Sequence, residues 1–405
     1  MKIFFRTIHL YLSLASGLVI AVLCFTGAVL VFEKELEQAW HPERYFVEAP
    51  TIQTRLSLQQ ITQAVQASVP QAKVTGMKVY ADPLRTVEVS LAGDKSDKKS
   101  PPVAQAGPAG NAKGAKAGEK PKGGGEGGGS PKYFVNPYSG QVVGPYVYRD
   151  TFFYTMFALH RGMVAGAVGK FIVGVSTLFF LFIIGTGLVL WWPATGKVLR
   201  QRLSVKWDAS WKRLNHDLHI VLGFYSALFL FVFAFTGLAW SFEWFNKGIF
   251  TLTNSEMKGP EPPKSVVAAT DSRLTYDAAY AIARQRVPTA QNFSIQLPKD
   301  STESVRIAML PVNAPHESAN DELYLDQYTG QVLGKLDFQD RNLGQRVRRS
   351  FKPVHTGAIF GMPSKIIALI VCVLGVTFPI TGVILWLNRL QKEKKKKQKH
   401  LAAAS

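Results

Sequence analysis

Residues 3–32 read IFFRTIHLYLSLASGLVIAVLCFTGAVLVF, and residues 216–242 read HDLHIVLGFYSALFLFVFAFTGLAWSF. One constant offset lays the first on the second. His9 falls on His219, Phe25-Thr26-Gly27 on Phe235-Thr236-Gly237, and Phe32-Glu33 on Phe242-Glu243. A second match links Leu159-His160-Arg161-Gly162 to Val354-His355-Thr356-Gly357. It continues without a gap through Lys170 on Lys365, Thr186-Gly187 on Thr381-Gly382 and Trp191 on Trp386. The chain thus reads as two half-proteins.

Apolar residues concentrate into four runs, Ile3 to Phe32, Phe171 to Trp192, Ile220 to Trp240 and Ile366 to Leu387. Each reaches the ~20 residues that cross a bilayer core as a helix. The first run is too long for a signal h-region, and Phe32-Glu33-Lys34-Glu35 offers no small-residue cleavage site, so it is expected to be a retained span.

The net charge of +19 is mostly a topology signal. Lys2 and Arg6 precede span one, a basic loop runs from Lys197 to Arg213, and Arg389 to Lys399 follow span four. All three segments belong on the cytoplasmic side, with both long connections outside. A nucleic-acid reading would need that charge on a folded soluble face. The two cysteines, Cys24 and Cys372, lie in different spans and form neither a disulfide framework nor a metal cluster; core packing is their expected role.

The two outer connections share one plan. The first has a helix over Leu56 to Ser68, strands over Lys73 to Tyr80 and Arg85 to Leu91, and a hairpin through Tyr138-Ser139-Gly140-Gln141-Val142. The second has a helix over Tyr276 to Arg286, strands near Asn292 to Leu297 and Val305 to Leu310, and Tyr328-Thr329-Gly330-Gln331-Val332. A Lys/Gly/Ala/Pro tract from Gly93 to Lys132 interrupts the first and reads as a flexible insertion. The expected layout is span one over 1–33, an outer α+β domain over 34–150, and a histidine-bearing entry with span two over 151–192. A basic loop follows over 193–215, span three over 216–245, a second outer domain over 246–345, an entry with span four over 346–388, and a basic tail over 389–405. The fold class is a membrane four-helix protein, a parallel two-fold internal repeat whose pseudo-axis lies along the membrane normal.

Ionisable residues at membrane depth need partners. Equivalent residues face each other across a two-fold axis, which is the geometry of two axial imidazoles on one iron, and bundle helices serve such ligation. The candidate ligand pairs are His9 with His219 (inner) and His160 with His355 (outer). His216 competes, one turn before His219, but its repeat counterpart is Arg6, which cannot ligate. His41, His316 and His400 have no counterparts and read as loop or tail residues. Glu33 and Glu243 match each other and either contact substrate or cap the junction between span and outer segment. Arg161, Lys170 and Lys365 near the outer pair, and Arg6 and Arg213 near the inner pair, are candidates for neutralising haem propionates or are membrane anchors. Trp191, Trp192 and Trp386 read as interfacial belt residues.

These motifs resemble the PepSY-associated transmembrane helix family, across all the chain except the Gly93 to Lys132 tract and the basic tail. The resemblance implies four helices, two b-type haems, two periplasmic PepSY-like domains and a place among inner-membrane reductases of iron–siderophore complexes. Carried over by position, His9, His219, His160 and His355 are the implied haem-iron ligands. The implied partners are the bilayer, a ferric siderophore or other ferric chelate, and a cytoplasmic or quinol electron donor. No Gly-x-Gly-x-x-Gly stretch follows a strand and opens a helix, so no nucleotide or flavin site is expected. A non-enzymatic module binding a periplasmic peptidase or other partner is the alternative. A siderophore permease is disfavoured because Pro379 in span four has no equivalent proline in span two.

Overall fold

The computed structural model describes residues 1–48, 54–70, 73–92, 131–267 and 272–404. The tract from Gly93 onward lies outside them, up to Pro131 and Lys132 at its end.

Helix α1 (Lys2–Leu30) is the first apolar run, followed by α2 (Glu33–Trp40) and α3 (Pro42–Tyr45). Helix α4 (Leu58–Ser68) starts at a reciprocal cap: Gln60 N–H donates to the Ser57 hydroxyl and Ser57 N–H to the Gln60 side chain. Strands β1 (Val74–Tyr80), β2 (Val87–Leu91), β3 (Lys132–Val135) and β4 (Val142–Tyr146) follow. Helix α5 (Phe152–Gly162) then leads into α6 (Gly166–Trp191). On the basic side lie α7 (Gly196–Arg202) and α8 (Trp211–Asp217), which runs through a π-helical turn, Leu218–Leu222, into α9 (Gly223–Ser241). The second half continues with α10 (Glu243–Leu252), α11 (Tyr276–Arg286), β5 (Ala290–Gln296), β6 (Val305–Pro311), β7 (Asp321–Leu325) and β8 (Val332–Leu336). It closes with α12 (Leu343–His355) and α13 (Met362–Ala404).

Among the described residues, four helical stretches are long and apolar enough to cross a membrane: Lys2–Leu30, Gly166–Trp191, Trp211–Ser241 and Met362–Ala402. Helix α1 packs on α6 and α13, and α9 packs on the same two. This sets α1 across from α9 and α6 across from α13. Large apolar side chains such as Leu18, Phe25, Phe171 and Leu228 point outward, as lipid contact requires. Inside, a Cβ on Gly375 would lie 2.5 Å from Cys24 Sγ, so these helices approach closely and the thiol is packing.

The two outer segments join in one antiparallel sheet of order β4-β3-β2-β1-β5-β6-β7-β8. Met77, Lys78 and Val79 of β1 register with Ile295, Ser294 and Phe293 of β5. Separate sheets would leave β1 and β5 as open edges; pairing them satisfies both rows of backbone groups. A shared apolar core results. Ile61 and Val65 of α4, Ala279 and Ala283 of α11, and Val79, Phe293, Ile307 and Leu325 of the strands are all buried in it. Asp277 of α11 ties the layers together by accepting from Leu58 N–H and Gln59 N–H at the start of α4. The Tyr-Ser/Thr-Gly turns put Gly140 and Gly330 at φ +72°, where a side chain is strained. Because strand side chains alternate, Met77 and Val79 enter the core while Lys78 and Tyr80 face the membrane helices.

Candidate cofactor site

The four matched histidines meet in two places. The His160 and His355 rings lie with centres 6.0 Å apart and planes inclined by 66°. At the basic end of the bundle, His9 and His219 line one cavity of about 610 Å³, with Gly17, Trp191, Pro379 and Trp386 in its wall. That volume is within the roughly 300–1,000 Å³ of small-molecule and cofactor pockets.

What orients the rings is a threonine, used four times. Nδ1 of His160 lies 3.0 Å from Thr26 Oγ1, and Nδ1 of His355 lies 3.0 Å from Thr236 Oγ1. Nδ1 of His9 lies 3.0 Å from Thr186 Oγ1, and Nδ1 of His219 lies 2.8 Å from Thr381 Oγ1. Each of these hydroxyls donates its own proton to a carbonyl one turn back: Val22, Val232, Phe182 and Thr377. Toward the imidazole each hydroxyl therefore accepts. Backbone carbonyls, which only accept, stand beside three of the same nitrogens: Leu23 at 3.1 Å from His160, Phe233 at 2.9 Å from His355 and Ile183 at 3.1 Å from His9. The proton thus resides on Nδ1, and Nε2 keeps its lone pair.

The glycine after each threonine makes room for the ring. A Cβ on Gly27, Gly187, Gly237 or Gly382 would lie 3.3–3.4 Å from the Cε1 of His160, His9, His355 or His219. Sequence reasoning marked Thr-Gly as a repeat signature and gave it no role. The signal was its fourfold recurrence in step with the histidines.

The arrangement suits a metal held between two imidazoles. Two rings each with a nitrogen about 2 Å from one transition-metal ion have centres roughly 6 Å apart, as His160 and His355 do. Among the described residues no group of three or more His, Cys, Asp or Glu side chains could hold a bare ion. The His160–His355 spacing therefore fits a metal that brings its other ligands in a macrocycle, such as a haem, and His9 and His219 share a cavity of cofactor size.

His219 stands within the π-helical turn, whereas His9 sits in regular α-helix. Such turns occur often at functional positions. Buried Asn215, just before the turn, donates to the Thr381 carbonyl and holds this end of span three against α13.

The other candidates separate. His216 lies 3.2 Å from Asp217 and is not in the inner cavity wall, whereas Arg6 is. Arg213 is engaged with Asp217 at 2.8 Å, and Lys365 with Glu35 at 2.7 Å; Arg389 joins Arg6 at the inner cavity instead. Arg161 and Lys170 line a larger cavity beside the other pair. His41 pairs with Glu43, His316 packs on Phe338, and His400 is exposed near the end of α13. Glu33 and Glu243 stand in the first turns of α2 and α10, where carboxylates offset the positive helix end, and Glu243 pairs with Lys247 at 2.7 Å. Of the tryptophans, Trp192 is 71% exposed as a belt residue would be. Trp191 is only 8% exposed and stacks on Phe224 with centres 3.7 Å apart. Trp191 and Trp386 form cavity wall, contrary to the belt expectation, because their faces of α6 and α13 turn into the bundle.

Four apolar helices enclosing paired histidines below a polar-faced sheet define a polytopic membrane protein. The chain belongs to the family described as PepSY-associated TM region, whose model matches residues 6–389. No curated protein matches it.

Proposed function

We propose that this protein is a two-haem transmembrane electron carrier that reduces ferric iron, in a siderophore or similar chelate, on the sheet side of the membrane. The observation that carries the reading is the shared state of the four histidines, each with Nδ1 held by a threonine and Nε2 left to ligate. The basic side is read as cytoplasmic and the sheet as periplasmic in a bacterial inner membrane, following the positive-inside rule. The sheet order, mirrored about the β1–β5 pair, supports reading the chain as a two-fold repeat with two PepSY-like outer units.

A haem bound at each pair would supply an iron that cycles between ferric and ferrous, taking one electron at a time. The chain's own residues do the rest. Threonines fix each imidazole's tautomer and raise its basicity as a ligand. Arg6 and Arg389 at the inner cavity suit carboxylate side groups. Phe180, Phe233 and Phe378 pack around Leu230 and Val371 inside the bundle, and three of these five residues, Phe180, Leu230 and Phe378, make the inner cavity wall apolar. Each electron delivered turns chelated Fe(III) into Fe(II), which hard oxygen ligands hold less tightly. The electron comes from quinol or a cytoplasmic donor.

Purified protein is expected to be red, with a b-type reduced-minus-oxidised spectrum and about two haems per chain by pyridine haemochrome. A folded but colourless preparation overturns the reading and leaves the non-enzymatic module, which needs no cofactor.

A further inference from the structure

A cavity of about 1900 Å³ lies between the polar face of the sheet and the helices that carry His160 and His355. We propose that this chamber binds the electron acceptor and selects it by negative charge, so that the substrate class is an anionic ferric chelate rather than an uncharged one. The inference rests on the function proposed above.

Three observations converge on it. The first is charge: among the described residues, nine lysine and arginine side chains line the chamber against two carboxylates, Asp82 and Glu317. Walls of one sign with low-dielectric backing concentrate oppositely charged solutes. Some of that charge is internally answered, since Glu322 lies 3.4 Å from Arg349. Lys78 and Arg85 lie toward the sheet, Arg161 beside His160, and Arg348 and Lys352 on α12, so the cations surround the space rather than cluster on one wall. The second is size. The volume exceeds the roughly 300–1,000 Å³ of ordinary small-molecule pockets and admits a bulky chelate with its water.

The third is adjacency to the histidine pair. Trp240 lines the chamber, and its ring centre lies 5.4 Å from that of His355. The Arg348 guanidinium sits over the same indole at 4.9 Å and is held by Asn246 at 2.7 Å. A chelate drawn in by the cations therefore comes against a residue in contact with a ligand ring. An anionic lipid headgroup offers the same charge, but the sheet that covers the chamber, with polar Asn292 and Ser294 facing in, suits a soluble ligand.

The test uses redox-inert gallium(III) in place of iron, so that binding is read without turnover. The full chain in nanodiscs of uncharged lipid is titrated with a gallium tris-catecholate of charge −3 and with an uncharged gallium tris-hydroxamate. Expected is binding of the trianion about tenfold or more tighter, weakening as salt rises from about 0.05 to 0.5 M. The double variant Lys78→Gln, Arg348→Gln should lose most of that preference while its haem content and spectrum stay normal. Equal affinity for the two chelates, salt-independent binding, or an unchanged preference in a haem-replete variant overturns the proposal. So does displacement of the bound trianion by an equimolar soluble headgroup, glycerophosphoglycerol, in the uncharged nanodiscs, which would assign the chamber to headgroups. A haem-free protein that still prefers the trianion would sink the electron-transfer reading and leave the anion site standing.

Discussion

Thr26 of span one accepts the Nδ1 proton of His160, 134 residues further along the chain, at 3.0 Å. His9 returns the relationship by donating to Thr186 of span two. Each half of the protein is thus closed by two such contacts, and each histidine pair draws one ring from either half.

Replacing Thr26 by valine keeps the shape and removes the acceptor. Outer partners of metal-ligating histidines contribute about 10–100-fold in affinity; because the Leu23 carbonyl still accepts from His160, the loss should fall near tenfold. Haem titration of apoprotein should show this at the sheet-side site alone, and Thr26→Ser should restore affinity.

His160→Ala or His355→Ala should abolish the sheet-side haem signal and leave the other. His9→Ala or His219→Ala should do the converse. His216→Ala should change neither, since its ring turns to Asp217. Low-temperature difference spectra of the four variants decide the pairing; loss of both signals from one substitution would refute it.

The tract over residues 93–130 should be dispensable. Ser90 and Lys132 are register partners on β2 and β3, and Leu91 N–H donates to the Pro131 carbonyl, so the ends of the tract already lie side by side. Replacing it with a short Gly-containing hairpin should leave haem content unchanged and shift the melting temperature by no more than a few degrees.

Glu322 gives the sheet an acid limit. Burial alone would raise its carboxyl, but hydrogen bonds from Arg306 and Tyr324 and the charges of Arg306 and Arg341 outweigh that and hold it at about 2. Against about 4.3 in an unfolded chain, the depressed value means its stabilisation is complete above roughly pH 4.3. It is lost as pH falls through about 2. Thermal melts of the full chain should therefore weaken with acid in that window, and less so in Glu322→Gln. Glu322→Ala, which strands buried Arg341, should cost about 3–5 kcal/mol at neutral pH.

The spans were legible because transfer into lipid is decided residue by residue, and an unbroken apolar run carries that information locally. The hairpin glycines were legible for a similar reason: Gly140 and Gly330 answer to their own φ. The candidate site was half legible. His9, His160, His219 and His355 stood out by recurrence, and the threonines recurred beside them without a function.

What fixes a threonine's role is which helix packs against which, and that follows from closing the chain over more than a hundred residues. Only the folded bundle puts Thr186 under His9, turns Trp191 and Trp386 inward and sets Trp240 against His355. The outer segments show the same division. Alternation along β1 determined that Lys78 and Met77 face opposite ways. The pairing of β1 with β5, which makes one sheet and so covers the basic chamber, is a long-range choice driven by two edges that each lacked a partner.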